Sequence, residues 1–445
     1  MKKVCLILAA VVLAAGISCS KKSTGGNPPP TPDPPEVPEA VYDETGCLYT
    51  SYKGLVMAGY QGWFAAEGDA SERGWYHYRN GNCGGFMPGC AAVDFWPDMT
   101  EYTKKYPSPF SFADGGNAPL YSPYDEETVD LHFKWMKDYG IDGVFMQRFV
   151  VEIKNENAKG KRHFNKVLEN ALKAAKKYSR AICVMYDLSG CTSADVAYLE
   201  QDWEELQRTF SLFDNKTNPT YLRHNKKPLV VIWGVGFNDN RKYTIADADQ
   251  LVTRLKGPSK KVSVMLGVPY YWRTMRNDTE NSPALHALIK KSDIIMPWAV
   301  GRYGNDNYAN VAGAELAGDI QWCNNNKVDY VPLAFPGFSW GNLRNDPSLY
   351  NSIPRMKGEF LWKQVAGAKM SGAKSLYLAM FDEIDEGTAL FKCARQNEVP
   401  LNGNGGRQFV GIENDLPSDH YLWLSGQAAK WFHGESGYSA TLPVR

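Results

Sequence analysis

Eight short apolar runs recur along this chain, each followed by a stretch whose apolar residues return every three or four positions. No other feature limits its fold so tightly. The runs cover 54–60, 142–149, 181–188, 228–237, 262–270, 293–300, 329–335 and 375–381. Several do not alternate in polarity, as in Leu229-Val230-Val231-Ile232-Trp233. A strand with one wet face alternates, whereas a strand covered on both faces stays apolar throughout, so these runs read as buried parallel strands. Between them, Phe164, Val167, Leu168, Ala171, Leu172 and Ala175 form one helical stripe, and Ile245, Ala248, Leu251, Val252 and Leu255 form another. Asp138-Tyr139-Gly140 reads as a helix stop just before a strand. Eight such units and a closing helix near 421–432 predict an α/β fold, a single (β/α)8 TIM barrel. A doubly wound open sheet has the same periodicities and differs only in not closing.

Composition excludes several function classes. At 44% hydrophobic and 22% charged residues the chain is globular rather than disordered. Lys+Arg and Asp+Glu both number 49, so there is no basic field to attract nucleic acid. The seven His are scattered, and no Cys-x-x-Cys or His-x-x-x-His pair offers metal spacing, so no zinc site is expected. Asn402-Gly403-Asn404-Gly405-Gly406 follows no strand and reads as a turn, not as a phosphate loop.

The first residues are a targeting segment. Lys2 and Lys3 precede an apolar stretch over 4–17, then Ser18-Cys19, the plan of a secretory signal and too short to span a membrane. It resembles a bacterial lipoprotein signal, in which Cys19 becomes the lipidated first residue. Seven prolines between Pro28 and Pro38 make an extended tether. The expected organisation is a signal over 1–18, a lipidated Cys and tether over 19–41, and a barrel domain over 42–445. Ser20 does not resemble the Asp that retains lipoproteins at the inner membrane, so the outer membrane is expected, with a monomer anchored by lipid alone. Cys83 and Cys90, with six residues between them in a glycine-rich stretch, can close a small disulfide loop after export.

Strand 1 and its helix are separated by a long insertion, roughly 63–124, rich in glycine and aromatics including Trp75, Tyr76, Tyr78, Phe86, Phe95 and Trp96. A loop of this length in a compact domain acts as a binding wall or lid. Barrels carry their functional groups at the C-terminal ends of the strands. Those ends supply Tyr60, Gln61 and Trp63, Gln147 and Arg148, Tyr186 and Asp187, Trp233, Tyr270, Trp298 and Trp340. Hydrogen-bonding groups beside aromatic faces on every side suit a sugar ring, which presents both hydroxyls and flat apolar surface.

Strand 8 ends in Asp382-Glu383-Ile384-Asp385-Glu386-Gly387-Thr388. Four carboxylates in five positions repel one another unless some are protonated, paired or solvated. Crowding therefore raises at least one pKa and leaves an acid beside an ionised partner, the combination that glycosidic cleavage needs. A helical turn at this point would bring Glu383 and Glu386 side by side.

Glu383-Ile384-Asp385-Glu386-Gly387-Thr388 resembles the Glu-Trp-His-Glu-Gly-Thr signature of the family 99 endo-acting α-mannosidases and mannanases. Gly59-Tyr60-Gln61-Gly62-Trp63-Phe64, Asp142-Gly143-Val144-Phe145-Met146-Gln147-Arg148-Phe149 and Pro336-Gly337-Phe338-Ser339-Trp340 are similar to segments of family 71/99-like proteins of bacterial polysaccharide systems. The resemblance implies a barrel that hydrolyses α-linked glycans internally with retention and without a cofactor. It implies that Glu383 draws the proton from the sugar 2-hydroxyl to give an anhydro-sugar intermediate, and that Glu386 is the general acid/base. Asp382 and Asp385 would contact substrate, although Ile384 and Asp385 stand where the family has Trp and His.

Two other readings compete. Gly337-Phe338-Ser339-Trp340-Gly341 is a literal Gly-x-Ser-x-Gly, followed in hydrolase order by an acid and by His420 or His433. A nucleophile elbow must pass directly from strand to helix, and no helical stripe follows until about Met356. The third reading is a tethered glycan-binding lipoprotein without catalysis, which requires Glu383 and Glu386 to be occupied by a loop lysine or arginine.

Overall fold

The computed structural model describes residues 40–403 and 406–445, so the signal, lipidation at Cys19 and the tether up to residue 39 lie outside the described residues. In chain order the elements are β1 (Val56–Tyr60), α1 (Glu126–Tyr139), β2 (Gly143–Phe149), α2 (Ala158–Tyr178), β3 (Ala181–Asp187), α3 (Ser193–Phe210) and β4 (Arg223–His224). Then come β5 (Lys227–Trp233), α4 (Ile245–Lys256), β6 (Ser263–Pro269), α5 (Pro283–Lys291), β7 (Ile294–Trp298), α6 (Tyr308–Asn326), β8 (Asp329–Tyr330) and β9 (Leu333–Ala334). The last are α7 (Gly341–Arg344), α8 (Glu359–Met370), β10 (Leu376–Leu378) and α9 (His420–Phe432).

The sheet runs in the order β8-β7-β6-β5-β3-β2-β1-β10-β9, every neighbouring pair parallel, with β4 the antiparallel exception against β5. β8 pairs with β7 and β9 pairs with β10. Pro332 lies between β8 and β9 and has no N–H to give to a ladder. The two pieces are thus one barrel strand, each half serving a different neighbour, and they close the ring. The result is a (β/α)8 barrel, and each of the eight apolar runs contains one of its strands.

Two apolar layers meet at every strand. Met57, Phe145, Cys183, Met185, Val231, Met265, Met296 and Tyr377 fill the barrel interior. Their chain neighbours Val56, Ala58, Val144, Val184, Val230, Val264 and Leu376 belong to the outer layer under the helices. This is the period of two that a pleated strand imposes. The helical stripes face the same outer layer; Ile245, Ala248, Leu251, Val252 and Leu255 are the buried residues of α4. Gly140 ends α1 in the left-handed conformation, φ 92°, its N–H bonded to the Met136 carbonyl. Gly143 opens β2 so close to β3 that a Cβ would lie 1.9 Å from the Ala181 carbonyl oxygen.

The insertion between β1 and α1 has its own aromatic interior. Trp75 packs on Phe86 at 4.9 Å, Phe86 on Phe110 at 4.9 Å, and Trp96 on Phe409 at 4.9 Å. A disulfide joins Cys83 to Cys90, Cα atoms 5.8 Å apart. Tyr78, Phe86, Phe95 and Trp96 are therefore buried packing residues and not ligand platforms, because the insertion must bury apolar surface of its own to stand as a wall. Among the described residues no helix is long and apolar enough to cross a membrane.

Candidate active site

The alternation along each strand decides which predicted residues converge. Gln147 on β2 and Asp187 on β3 point into the barrel mouth, while their neighbours Arg148 and Tyr186 point outward. Arg148 makes a bidentate pair with Asp202 on α3, 2.6 Å from each oxygen, and donates to Asn165 on α2 at 2.8 Å. The Tyr186 hydroxyl donates to the same Asp202 at 2.7 Å. Tyr60 also faces outward, its hydroxyl 2.8 Å from His132 Nδ1 on α1. These three residues tie helices to the barrel and do not reach a cleft. Tyr270 is buried against Tyr271 and Tyr303, ring centroids at 5.0 and 5.6 Å. Trp340 stands at the rim, partly exposed, with the Arg344 guanidinium 5.2 Å from its ring.

The acidic segment after β10 is a turn, not a helix. Thr388 and Ala389 N–H groups donate to the Glu383 carbonyl at 3.1 and 2.9 Å, and Gly387 takes φ 65°. Arg355 fastens the far side, donating to the carbonyls of Gly387 and Ala389 at 2.9 and 2.7 Å. Asp382 accepts from the backbone N–H groups of Gln61 and Gly62 at 2.7 and 2.9 Å. Fully buried and saturated in this way, Asp382 shapes the end of β1 and is not available to substrate.

Glu383 sits 3% exposed, accepting from the Gln61 side-chain amide and from Thr388 Oγ1 at 2.6 Å. Burial, then the charges of Glu386 and Asp385, push its pKa well above the usual carboxylate range, while the two hydrogen bonds favour the ionised form. Glu386 is partly exposed and its carboxylate has no hydrogen-bond partner among the described residues. Burial raises its pKa to about 7, with Asp385 and Asp187 adding to the rise and Arg344 opposing it. Asp385 is raised to about 7 by burial, and Asp187, which accepts from the Ser189 N–H at 2.7 Å, to about 6. No lysine or arginine forms an ion pair with Glu383 or Glu386 among the described residues, so the occupied-acid reading lacks its cation.

Around these acids stand Gln61, Trp63, Gln147, Trp233 and Trp298. Trp233 and Trp298 meet edge to face at 5.3 Å, and Gln147 donates to the Tyr377 hydroxyl at 3.2 Å. Gln61 Oε1, Gln147 Oε1, Asp385 Oδ1 and the indole N–H groups of Trp63 and Trp233 are buried and without partners. Buried polar atoms normally have partners, so a ring of open donors and acceptors beside two acids is an arrangement prepared for a hydroxyl-rich ligand. Three members were not foreseen: Tyr377 from inside β10, Thr388 from the turn, and His77 from the insertion. No group of three or more His, Cys, Asp or Glu among the described residues has a metal-holding arrangement.

Ser339 has a structural task. Its hydroxyl donates to the buried Asp94 at 2.5 Å and accepts from the Asn351 N–H at 2.9 Å. His420 bonds to the Lys357 carbonyl and His433 to Asp142, so neither histidine serves Ser339, and α7 is only four residues long. The serine-hydrolase alternative therefore fails on geometry.

A family 99 endo-α-mannosidase from Bacteroides thetaiotaomicron superposes with a TM-score of 0.61 at 14% identity, covering 86% of this chain and 98% of that one. The fold the two chains share is the (β/α)8 barrel. The same enzyme in complex with bis-tris propane matches equally, TM-score 0.61 at 15% identity over 86% and 98% of the two chains. A glycoside hydrolase-like protein matches at TM-score 0.50 and 12% identity, over 79% and 98%. No protein-family model and no curated protein sequence matches the chain.

Proposed function

We propose that this protein is a glycoside hydrolase that cleaves an α-linked glycan or polysaccharide within the chain and with retention, held to the outer membrane by lipid on Cys19. One observation carries the reading. Two neighbouring carboxyl groups at the barrel mouth form no ion pair among the described residues, one buried and hydrogen-bonded by Gln61 and Thr388, the other open to the cleft without a hydrogen-bond partner.

In this reading the two carboxyl groups share one proton, which sits on Glu386 because Gln61 and Thr388 donate to the Glu383 carboxylate; Glu383 then takes the proton of the sugar 2-hydroxyl as that oxygen attacks the anomeric carbon. Glu386 gives its proton to the departing glycosidic oxygen, and the product is a 1,2-anhydro sugar. Water then opens the ring at the anomeric carbon, its proton passing to Glu386 while Glu383 returns a proton to the 2-oxygen. Both carboxyl groups end as they began. Trp233 and Trp298 supply flat faces for sugar rings, Trp63 offers its indole N–H, and Gln147 and Asp187 supply polar contacts.

The test is a panel of α-linked glycans, with new reducing ends measured. Glu386→Gln should lower turnover by about 10²–10⁴-fold on ordinary glycosides. Activated aryl or fluoride leaving groups should recover most of that loss, since they depart without a proton. Glu383→Gln should stay impaired on both. Wild-type turnover in both variants would refute the assignment.

A further inference from the structure

His77 is a histidine that no motif singles out, and it stands inside the mouth. The insertion delivers it with a left-handed backbone, φ 61°, a conformation that among residues other than glycine is used mainly by asparagine, aspartate and histidine. Its ring lies flat on Trp63, centroids 3.8 Å apart and planes within 6°. Its Nδ1 is 3.3 Å from Asp385 Oδ2. The other Asp385 oxygen is buried without a partner, and His77 is the only side chain among the described residues bonded to this carboxylate.

We propose that His77 is a positioning residue of the reaction: its Nδ1–H holds Asp385 as a charged neighbour of Glu386, so that the proton donor keeps its proton until the leaving group needs it. The inference rests on the glycosidase reading of Glu386. The resembling family has a histidine in the Asp385 position itself; here the imidazole comes from a different segment, 308 residues away in the chain, and the acid takes the place of the base.

The surroundings favour a neutral imidazole that donates. Burial, and then the Arg73 guanidinium, push His77 down to about 3, while Glu152 acts in the opposite sense. Arg73 is itself paired with Glu152 at 2.6 Å and stacked on Tyr76 at 3.5 Å. Asp385 faces Glu383 and Glu386 on its own turn, with Asp382 and the insertion's Asp94 also within electrostatic reach. Glu386 in turn feels Asp187 and Arg344. Burial already raises Asp385 to about 7 against the N–H groups of its own turn, so the loss of a further donor moves it towards the protonated form. Loss of the His77 N–H would therefore shift Asp385 towards its neutral form, weaken its repulsion of Glu386, and let Glu386 ionise at lower pH.

His77→Phe keeps a flat ring against Trp63 without nitrogen, and His77→Asn keeps a short N–H donor and suits the left-handed backbone. The alkaline limb of kcat/KM should fall by roughly half to one pH unit in His77→Phe, the size expected from a nearby like charge. His77→Asn should retain the wild-type limb. An unchanged limb in His77→Phe, whatever its turnover, would overturn the proposal, and so would an equal displacement in both variants. Histidine ¹⁵N spectra of the wild-type protein, with His77→Phe used for assignment, need no substrate: an Nδ1–H tautomer at neutral pH supports the proposal and an Nε2–H tautomer overturns it. Absence of turnover on every glycan would count against the glycosidase reading, while the spectra would still decide the state of His77.

Discussion

Glu386 and Arg148 are both charged groups at strand ends, yet opposite consequences follow from their surroundings. Glu386 has no hydrogen-bond partner among the described residues and binds its proton to about pH 7, so kcat/KM should fall as pH rises through that value, where the donor is lost. Stability carries the same sign. A carboxyl group whose folded pKa is raised favours the native state below its unfolded pKa, and that contribution disappears as pH rises through about 7. Glu386→Gln should accordingly have a higher Tm than wild type at pH 8, with the difference gone by pH 4, as calorimetry at the two values would show. Arg148 is a structural group. Its two hydrogen bonds to Asp202 are enclosed between β2 and α3, and Arg148→Met leaves that acid buried with Tyr186 as its remaining partner. Denaturant titration should show a loss of about 3–5 kcal/mol. KM should not change, since the side chain lies behind the barrel wall and not in its mouth.

At the scale of elements, the strands were legible and their facing was not. Continuous apolar runs announced eight buried strands because both faces are covered, and for the same reason they lacked the polar alternation that tells one face from the other. Gln147 and Arg148, or Tyr186 and Asp187, look equally placed in the sequence, yet one of each pair enters the mouth and its neighbour reaches for a helix. The acidic turn was legible because four acids in five positions have no ordinary packing role. His77 was not, since its meaning depends on a contact made across 308 residues. The insertion was visible as a long aromatic loop, but only three dimensions show its rings stacked inward. The Cys83–Cys90 bridge closes a short loop with seven residues of separation. Loop-closure entropy assigns a link of this length about 2 kcal/mol. Cys83→Ser with Cys90→Ser should lower stability by that order and leave the β/α ring intact, read as one cooperative transition with an unchanged far-ultraviolet spectrum.

At the scale of the molecule, the barrel and its closing helix account for the described chain from residue 40 onward. Pro-rich sequence before that point has no apolar periodicity with which to join a core. A chain beginning at Val41 should fold with the melting temperature of the full-length chain and with equal turnover on soluble glycan. A loss of more than a few degrees would mean that the tether belongs to the domain. One knot in the fold bears on how such a protein changes over generations. Asp94, in the insertion, receives Ser339 Oγ, the Gly341 N–H and the Asn342 N–H at 2.5, 2.8 and 2.7 Å, and Phe95 beside it bridges to Val410. A wall stitched in this way to two other loops cannot be exchanged as a cassette without unpicking both. If the proposed function holds, a taste for a different sugar would then be acquired one side chain at a time, on an architecture that stays standing while its surface is rewritten.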